Sequence, residues 1–238
     1  VSTKQGIYTV LLGKNESIGR SLYCGRQYEL DLMIKAMAIL RQHKLIPPKG
    51  QGTFLDVGAN IGVVAIGMLH LGEVEKAIAV EPEPRNFSLL QHNVQQNQMD
   101  NRIICLPYAA SDSESELVFE LSDSNFGDHR VRANLPTNTT NERFDESRRS
   151  SITVKGDRLD SLLANVPDSF SQSVTMLWVD VQGYEGFVFS GAGNLLSQGV
   201  PVVAELWPYA IQRAGMSQEH FCSIAQNFWS KYWVMRGG

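Results

Sequence analysis

Residues 52–67 read GTFLDVGANIGVVAIG. Five residues of strand character, TFLDV, run into a turn carrying Gly58, Asn60 and Gly62, and an apolar helix pattern follows. A glycine turn between a strand and a helix is where α/β proteins hold nucleotide-like ligands, because backbone amides and the helix N-terminus face the crevice there. The dinucleotide fingerprint G-x-G-x-x-G does not fit, since Gly58 and Gly62 stand four apart with Asn60 between them. The looser pattern acid-x-G-x-x-x-G does fit, with Asp56 as the acid. Asn is the non-glycine residue best able to take positive φ, so Asn60 can stand in a glycine's place.

Such a turn suits a ligand that has no phosphate and carries an amino acid. Asp56, directly or through water, can meet an ammonium group, and Gly58 lets the backbone approach closely. S-adenosylmethionine has those features. The next strand candidate closes in AVEPEP at 79–84, with Glu81 standing 25 residues after Asp56. A carboxylate there can accept both ribose hydroxyls, a role it would also play for NAD. The plain alternatives are a tight strand–helix turn and a solvated strand end.

Around this stretch, short apolar runs alternate with helix patterns, the signature of a parallel sheet covered on both faces. Strands are expected at 53–57, 76–81, 102–108, 175–181 and 200–206, with helices near 61–71, 84–97, 158–165 and 217–230. Apolar positions at helical spacing predict a leading helix between Tyr28 and Leu45, stopped by Pro47 and Pro48. Residues 7–27 are mixed, a short strand pair or a loop. ELVFEL at 116–121 alternates like an extra strand. Residues 122–150 are polar with little periodicity, and a loop that long is more often functional than idle. The tail KYWVMRGG has the start of a further strand. The expected organisation is an N-terminal extension and leading helix over 1–50, then one doubly wound, mainly parallel α/β domain over 51–238.

The 238 residues are 43% hydrophobic, enough for a full core, and carry a net charge of −4, no footprint for a nucleic-acid backbone. Cys24, Cys105 and Cys222 are far apart with no CxxC pair, poor material for disulfides or zinc, so a reducing, cytoplasmic setting is expected. No apolar run is long enough to span a bilayer, and VSTKQGIYTV does not read as a signal peptide. The sequons at Asn15 and Asn138 are short enough to arise by chance.

TMLWVDVQGYEGFVFSGAGNLL, from Thr175, is the second informative stretch. Asp180 falls at the carboxyl end of an apolar strand, where open α/β sheets place their chemistry. Gly183 follows, and Tyr184 and Glu185 begin a helix whose start favours an acid.

FLDVGANIG, AVEPEP, LDSLL, LWVDVQGYEG with SGA, and PVVAELWP, in this order and spacing, resemble the FkbM family of methyltransferases over roughly residues 28–210. The resemblance implies the class I methyltransferase fold (Rossmann-like), S-adenosylmethionine as methyl donor, and usually O-methylation of sugars, polyketides or related small molecules. Carried over by position, Asp56, Gly58, Asn60 and Gly62 would form the cofactor loop and Glu81 would take the ribose. The adenine would lie near Ala110, Ser111 and Asp112. The family often has Lys two residues before the fourth-strand Asp and Glu two after it, where this chain has Trp178 and Gln182. The local charge there is therefore lower than is usual in the family.

Methyl transfer to a hydroxyl needs alignment and a base. Asp180 is the first candidate base; it could alternatively help hold a metal that acidifies the hydroxyl, or simply cap the next helix. His129, in SNFGDHRV at 124–131, is the second, with Arg130 placed to meet a substrate anion. The alternative is a solvated loop. His43, His70, His92 and His220 have no catalytic partners in sequence and read as surface or packing residues. Gln182 and Glu205 are expected on the substrate side. Trp207 and Tyr209 could stack on a sugar or fill core, and Arg143, Arg148 and Arg149 make the long loop basic. Phe228, Trp229 and Trp233 read as core.

The expected partner is a small hydroxylated acceptor, carbohydrate among the options, with no nucleic acid, membrane or metal and with homo-oligomerisation left open. An N-methyltransferase is disfavoured by DVQGY where an Asn/Asp-Pro-Pro-aromatic tetrad would stand, and a dehydrogenase by the failed fingerprint. A non-catalytic binding module remains the third alternative.

Overall fold

The computed structural model describes residues 1–12, 16–122, 125–132, 143 and 146–235. The chain opens with a two-residue antiparallel pair, β1 (Ser2–Thr3) and β2 (Gly6–Ile7), then helices α1 (Ser17–Arg20) and α2 (Leu30–Gln42). There follow β3 (Thr53–Val57), α3 (Val63–His70), β4 (Lys76–Val80), α4 (Pro84–Gln96) and β5 (Ile103–Leu106). A smaller group comes next: β6 (Ala109–Ser111), β7 (Ser115–Leu121), β8 (Arg130–Val131) and β9 (Ser150–Arg158). The chain then runs through α5 (Leu159–Ala164), α6 (Asp168–Ser171), β10 (Val174–Val179), α7 (Glu185–Ser190), α8 (Gly193–Leu196), β11 (Val202–Ala204), α9 (Pro208–Arg213) and α10 (Gln218–Phe228).

Five strands form one parallel sheet in the order β11-β10-β3-β4-β5. The chain lays down β3, β4 and β5 to one side, then returns to place β10 and β11 on the other, so β3 and β10 border a topological switch point. Crevices at the carboxyl ends of strands form there. All five residues of β3 are buried, as expected of a strand covered on both faces. Phe54, Met176 and Trp178 look to the side of α2 and α3; Leu55, Ile78 and Leu177 look to the side of α5, α7 and α10. Each such fully buried apolar side chain contributes roughly 1.5–3 kcal/mol.

Tyr8, Ile18, Leu22 and Met33, among the described residues of the N-terminal 50, pack into the first of these cores. A Cβ at Gly67 would come within 2.9 Å of the Met33 methyl and 3.4 Å of Gln5 Cβ, so the glycine lets α2 and the N-terminal segment lie close on α3, and a larger residue would have to displace the end of Met33. Asn93 of α4 ties the same region together: it accepts from the Thr9 amide at 2.7 Å and donates to the carbonyls of Ile61 (2.9 Å) and Thr9 (3.2 Å).

The strand expected at 116–121 is present, but its main partner, β9, lay unrecognised in the polar sequence 150–158. The two pair antiparallel over seven positions, with β6 parallel to β9 and β8 flanking β7. The expected loop over 122–150 ends where β9 begins and contains the short β8, and its residues 123–124, 133–142 and 144–145 lie outside the described residues, as do both sequon asparagines. Residues 229–235 form no strand; Trp233 is 41% exposed and stacks on His43 rather than filling core.

Candidate active site

The turn after β3 owes its shape to backbone contacts. Gly58, Asn60 and Gly62 all have positive φ, at 87°, 51° and 88°. A Cβ at Gly58 would stand 1.9 Å from the Asp180 carbonyl oxygen, and one at Gly62 would stand 2.7 Å from Leu90 Cδ1. The glycines thus let the β3 turn touch the end of β10 and the flank of α4. The amides of Gly58 and Ala59 donate to the Val80 carbonyl at 2.9 and 3.0 Å, locking the turn to β4.

A cleft lies over this turn at the carboxyl edge of the sheet, enclosing about 640 Å³ of atom-free space, part of it open to solvent. One wall is the sheet edge: Val57, Gly58, Asn60, Val80, Glu81, Pro82, Asp180, Val181 and Gln182. The facing wall comes from α1 and the smaller sheet: Ile18, Phe119, Phe126, Gly127, His129 and Val131. Tyr108, Ala109, Ala110 and Tyr184 close one end. No lysine or arginine lines it among the described residues.

Glu81 lines the cleft buried, its Oε2 accepting from the Asn60 amide at 2.8 Å and its Oε1 from the Glu83 amide at 2.9 Å. Burial outweighs those bonds and pushes its carboxyl up to about 7. Each oxygen retains acceptor capacity for a further donor. Asp56 does not line the cleft; it is buried behind the turn, accepts from the Ala65 amide at 3.0 Å, and so tethers the start of α3. Its carboxyl is pushed up to about 8, chiefly by burial.

Asp180 is half-buried in the cleft wall, with Oδ1 accepting from Gln182 Nε2 at 2.6 Å. Burial raises its carboxyl above the usual range, and nearby Asp128 adds to the shift. Gln182 also donates to exposed Glu205 at 3.2 Å, so it bridges the ends of β10 and β11. The loop between Asp180 and α7 is held by Glu185, whose Oε1 accepts from the amides of Val181 and Gly183, both at 3.2 Å. The sequence shows Glu185 as a helix-start acid; its grip on the preceding loop emerges only in three dimensions.

His129 is half-buried against Phe119 and Phe126, and its Nδ1 accepts from the Ser122 amide at 2.9 Å. Burial lowers its pKa. A neutral ring with Nδ1 so engaged carries its proton on Nε2, which makes it a donor there rather than a base. Arg130 does not line the cleft. It is buried in ion pairs with Asp128 and Glu146, lies over the Trp207 ring at 5.0 Å, and shares Asp128 with Arg149. Ala110 lines the cleft, whereas Ser111 is buried beneath it, 3.1 Å from the Tyr184 hydroxyl, and Asp112 stands beside Ser111 outside the lining.

The segment from Asn125 to His129 is latched to the sheet edge through one atom. The Phe126 carbonyl accepts from Asn60 Nδ2 at 2.9 Å and Asn86 Nδ2 at 3.2 Å, and Arg85 lies over the Phe126 ring at 4.7 Å. Asn86 escaped the sequence reading because nothing local distinguishes it from a solvated helix residue. Among the described residues no group of three or more His, Cys, Asp or Glu side chains is arranged to hold a metal ion. Nor is any helix among them long and apolar enough to cross a membrane.

A family model described as the methyltransferase FkbM domain matches residues 56–224. No curated protein matches the chain. Among solved structures, the FkbM methyltransferase of Methylobacillus flagellatus KT aligns at 17% identity with a TM-score of 0.47, over 76% of this chain and 39% of its own. P. horikoshii TYW2 in complex with MeSAdo aligns at 23% identity and a TM-score of 0.25, over 31% of this chain and 28% of its own. The C-terminal domain of precorrin-6Y C5,15-methyltransferase from Rhodobacter capsulatus aligns at 18% identity and a TM-score of 0.26, over 32% and 39%. This chain thus spans well under half the length of each of those proteins.

Proposed function

This chain belongs to the FkbM methyltransferase family, and from that premise we propose that it moves a methyl group from S-adenosylmethionine to a hydroxyl oxygen of a small molecule. The observation that carries the cofactor reading is the lining of the cleft. Glu81 and Asp180 line it, and no lysine or arginine does among the described residues. A pyrophosphate would find no cation there to pair with. S-adenosylmethionine, with a sulfonium, an ammonium and one carboxylate, is a net cation, and its charge would favour the ionised form of the carboxyls that burial raises. The donor set fits it further: Glu81 has acceptor capacity for the ribose, and Val80, Pro82, Ala109 and Ala110 offer apolar surface to the adenine.

The cofactor supplies an electrophilic methyl group for in-line displacement. The chain's part is to orient the acceptor, take its proton and keep water out. Asp180 takes the proton: its raised carboxyl accepts one more readily than a surface aspartate would, and Gln182 pins one of its oxygens. His129 orients the acceptor oxygen by donating from Nε2. Ile18, Phe126 and Val131 cover the cleft and limit water. An acid-lined mouth with exposed Glu205 and Glu29 nearby favours neutral or cationic acceptors such as sugars over anionic ones. The free cysteines suit a reducing compartment, and we assign the enzyme to the cytoplasm on that ground.

Calorimetric titration with S-adenosylhomocysteine and with NADH tests the cofactor: heat with the first and none with the second is expected, and the reverse result refutes the assignment. A methyl-transfer screen over hydroxylated and amine-bearing acceptors then tests the oxygen specificity, and turnover confined to amines would overturn it.

A further inference from the structure

Asn86 stands in the first turn of α4, lines the cleft and is 2% exposed. The two ends of its amide are in unlike situations. Nδ2 donates to the Phe126 carbonyl. Oδ1 is shut off from solvent and has no hydrogen-bond partner among the described residues. This orientation is not arbitrary, because exchanging the two atoms would press Oδ1 against a carbonyl oxygen. A buried acceptor left unmet is uncommon in folded proteins and calls for a donor from elsewhere.

We propose that Asn86 is a ligand-binding residue whose Oδ1 accepts a hydrogen bond from one of the two ribose hydroxyls of the bound nucleoside. The inference rests on the cofactor reading above and adds a residue to it. Glu81 lines the same cleft, and a relay of hydrogen bonds fixes its position relative to Asn86. The Glu83 amide donates to Glu81 Oε1 at 2.9 Å, and the Asn86 amide donates to Glu83 Oε2 at 2.7 Å. Carboxylate and amide oxygen are therefore held at a set separation, both as acceptors. Two neighbouring acceptors select for two neighbouring donors, which a vicinal diol provides.

The test is a titration of wild type, Asn86→Ala and Asn86→Asp with S-adenosylhomocysteine and its 2′-deoxy and 3′-deoxy analogues. Wild type is expected to bind one deoxy analogue about tenfold more weakly than the parent, the loss of one well-placed hydrogen bond. Asn86→Ala is expected to bind the parent about tenfold more weakly and to make no further distinction against that analogue, the coupling expected of two groups in contact. Asn86→Asp keeps an acceptor but sets its second oxygen against the Phe126 carbonyl unless that oxygen carries a proton, so it is titrated at low pH, where the acid donates as the amide does and the distinction is retained; it also decides the matter if Asn86→Ala does not fold. Equal losses for both analogues in wild type and Asn86→Ala, or a lost distinction in Asn86→Asp, overturns the inference. Wild type that gives no heat with S-adenosylhomocysteine overturns the cofactor reading itself, and that outcome is visible before any variant is made.

Discussion

Asp180 joins three jobs at one position: its amide continues the sheet to Val57, its carbonyl packs on Gly58, and its carboxylate faces the cleft. Asp180→Asn preserves the shape and removes the proposed base, so kcat should fall about 10²–10⁴-fold with little change in cofactor affinity. Steady-state kinetics on an acceptor found by screening checks this; unchanged kcat would remove Asp180 from the chemistry. His129 makes the opposite case. If it acts as a donor from Nε2, His129→Gln, whose amide reaches the same distance, retains more activity than His129→Ala, whereas a base role predicts equal loss in both. Gly58→Ala would place a methyl carbon against the Asp180 carbonyl at positive φ, and chemical denaturation should show a loss of about 3 kcal/mol.

At the scale of elements, the parallel strands were legible because burial on both faces writes itself as unbroken apolar runs, as in β3 and β4. β9 was not, since SSITVKGDR alternates polar side chains to solvent and buries only Val154 and Gly156. The short α9 was not foreseen, although Pro208 stands in its first turn, a place that proline suits. Strand ends were legible as positions but not as directions: Asp56 and Glu81 look equivalent in sequence, yet one faces inward to α3 and the other the cleft. Arg130 likewise gave no sign of its ion pairs with Asp128 and Glu146. The latch on Phe126 is a product of folding alone. Asn60→Ala removes one of its two donors, and faster amide hydrogen exchange over 125–129 is expected. Asn93→Ala would unfasten the N-terminal segment from the glycine turn, at an expected cost of about 2–3 kcal/mol in thermal or chemical unfolding.

For the whole molecule, burial raises Asp56 to about 8 and both Glu81 and Glu185 to about 7. The folded chain holds these protons more tightly than the unfolded chain, whose carboxyls ionise near pH ~4. Unfolding therefore releases protons between about pH 4 and pH 8, and stability falls as pH rises through that window. Thermal midpoints of the ligand-free protein should be lower at pH 8 than at pH 5.5; a rising midpoint would mean that these carboxyls are ionised in the fold. The two walls of the cleft differ in what they can tolerate. The sheet-edge wall is one interlocked body, with Gly58 on Asp180, the turn on β4 and Glu185 on the loop, so a change there disturbs several contacts at once. The facing wall, by contrast, presents Ile18, Phe126 and Val131 on short segments outside the main sheet. Ile18, Phe126 and Val131 are thus positions at which the cleft can be varied while the interlocked wall stays intact, a division that makes the protein a convenient parent for directed evolution.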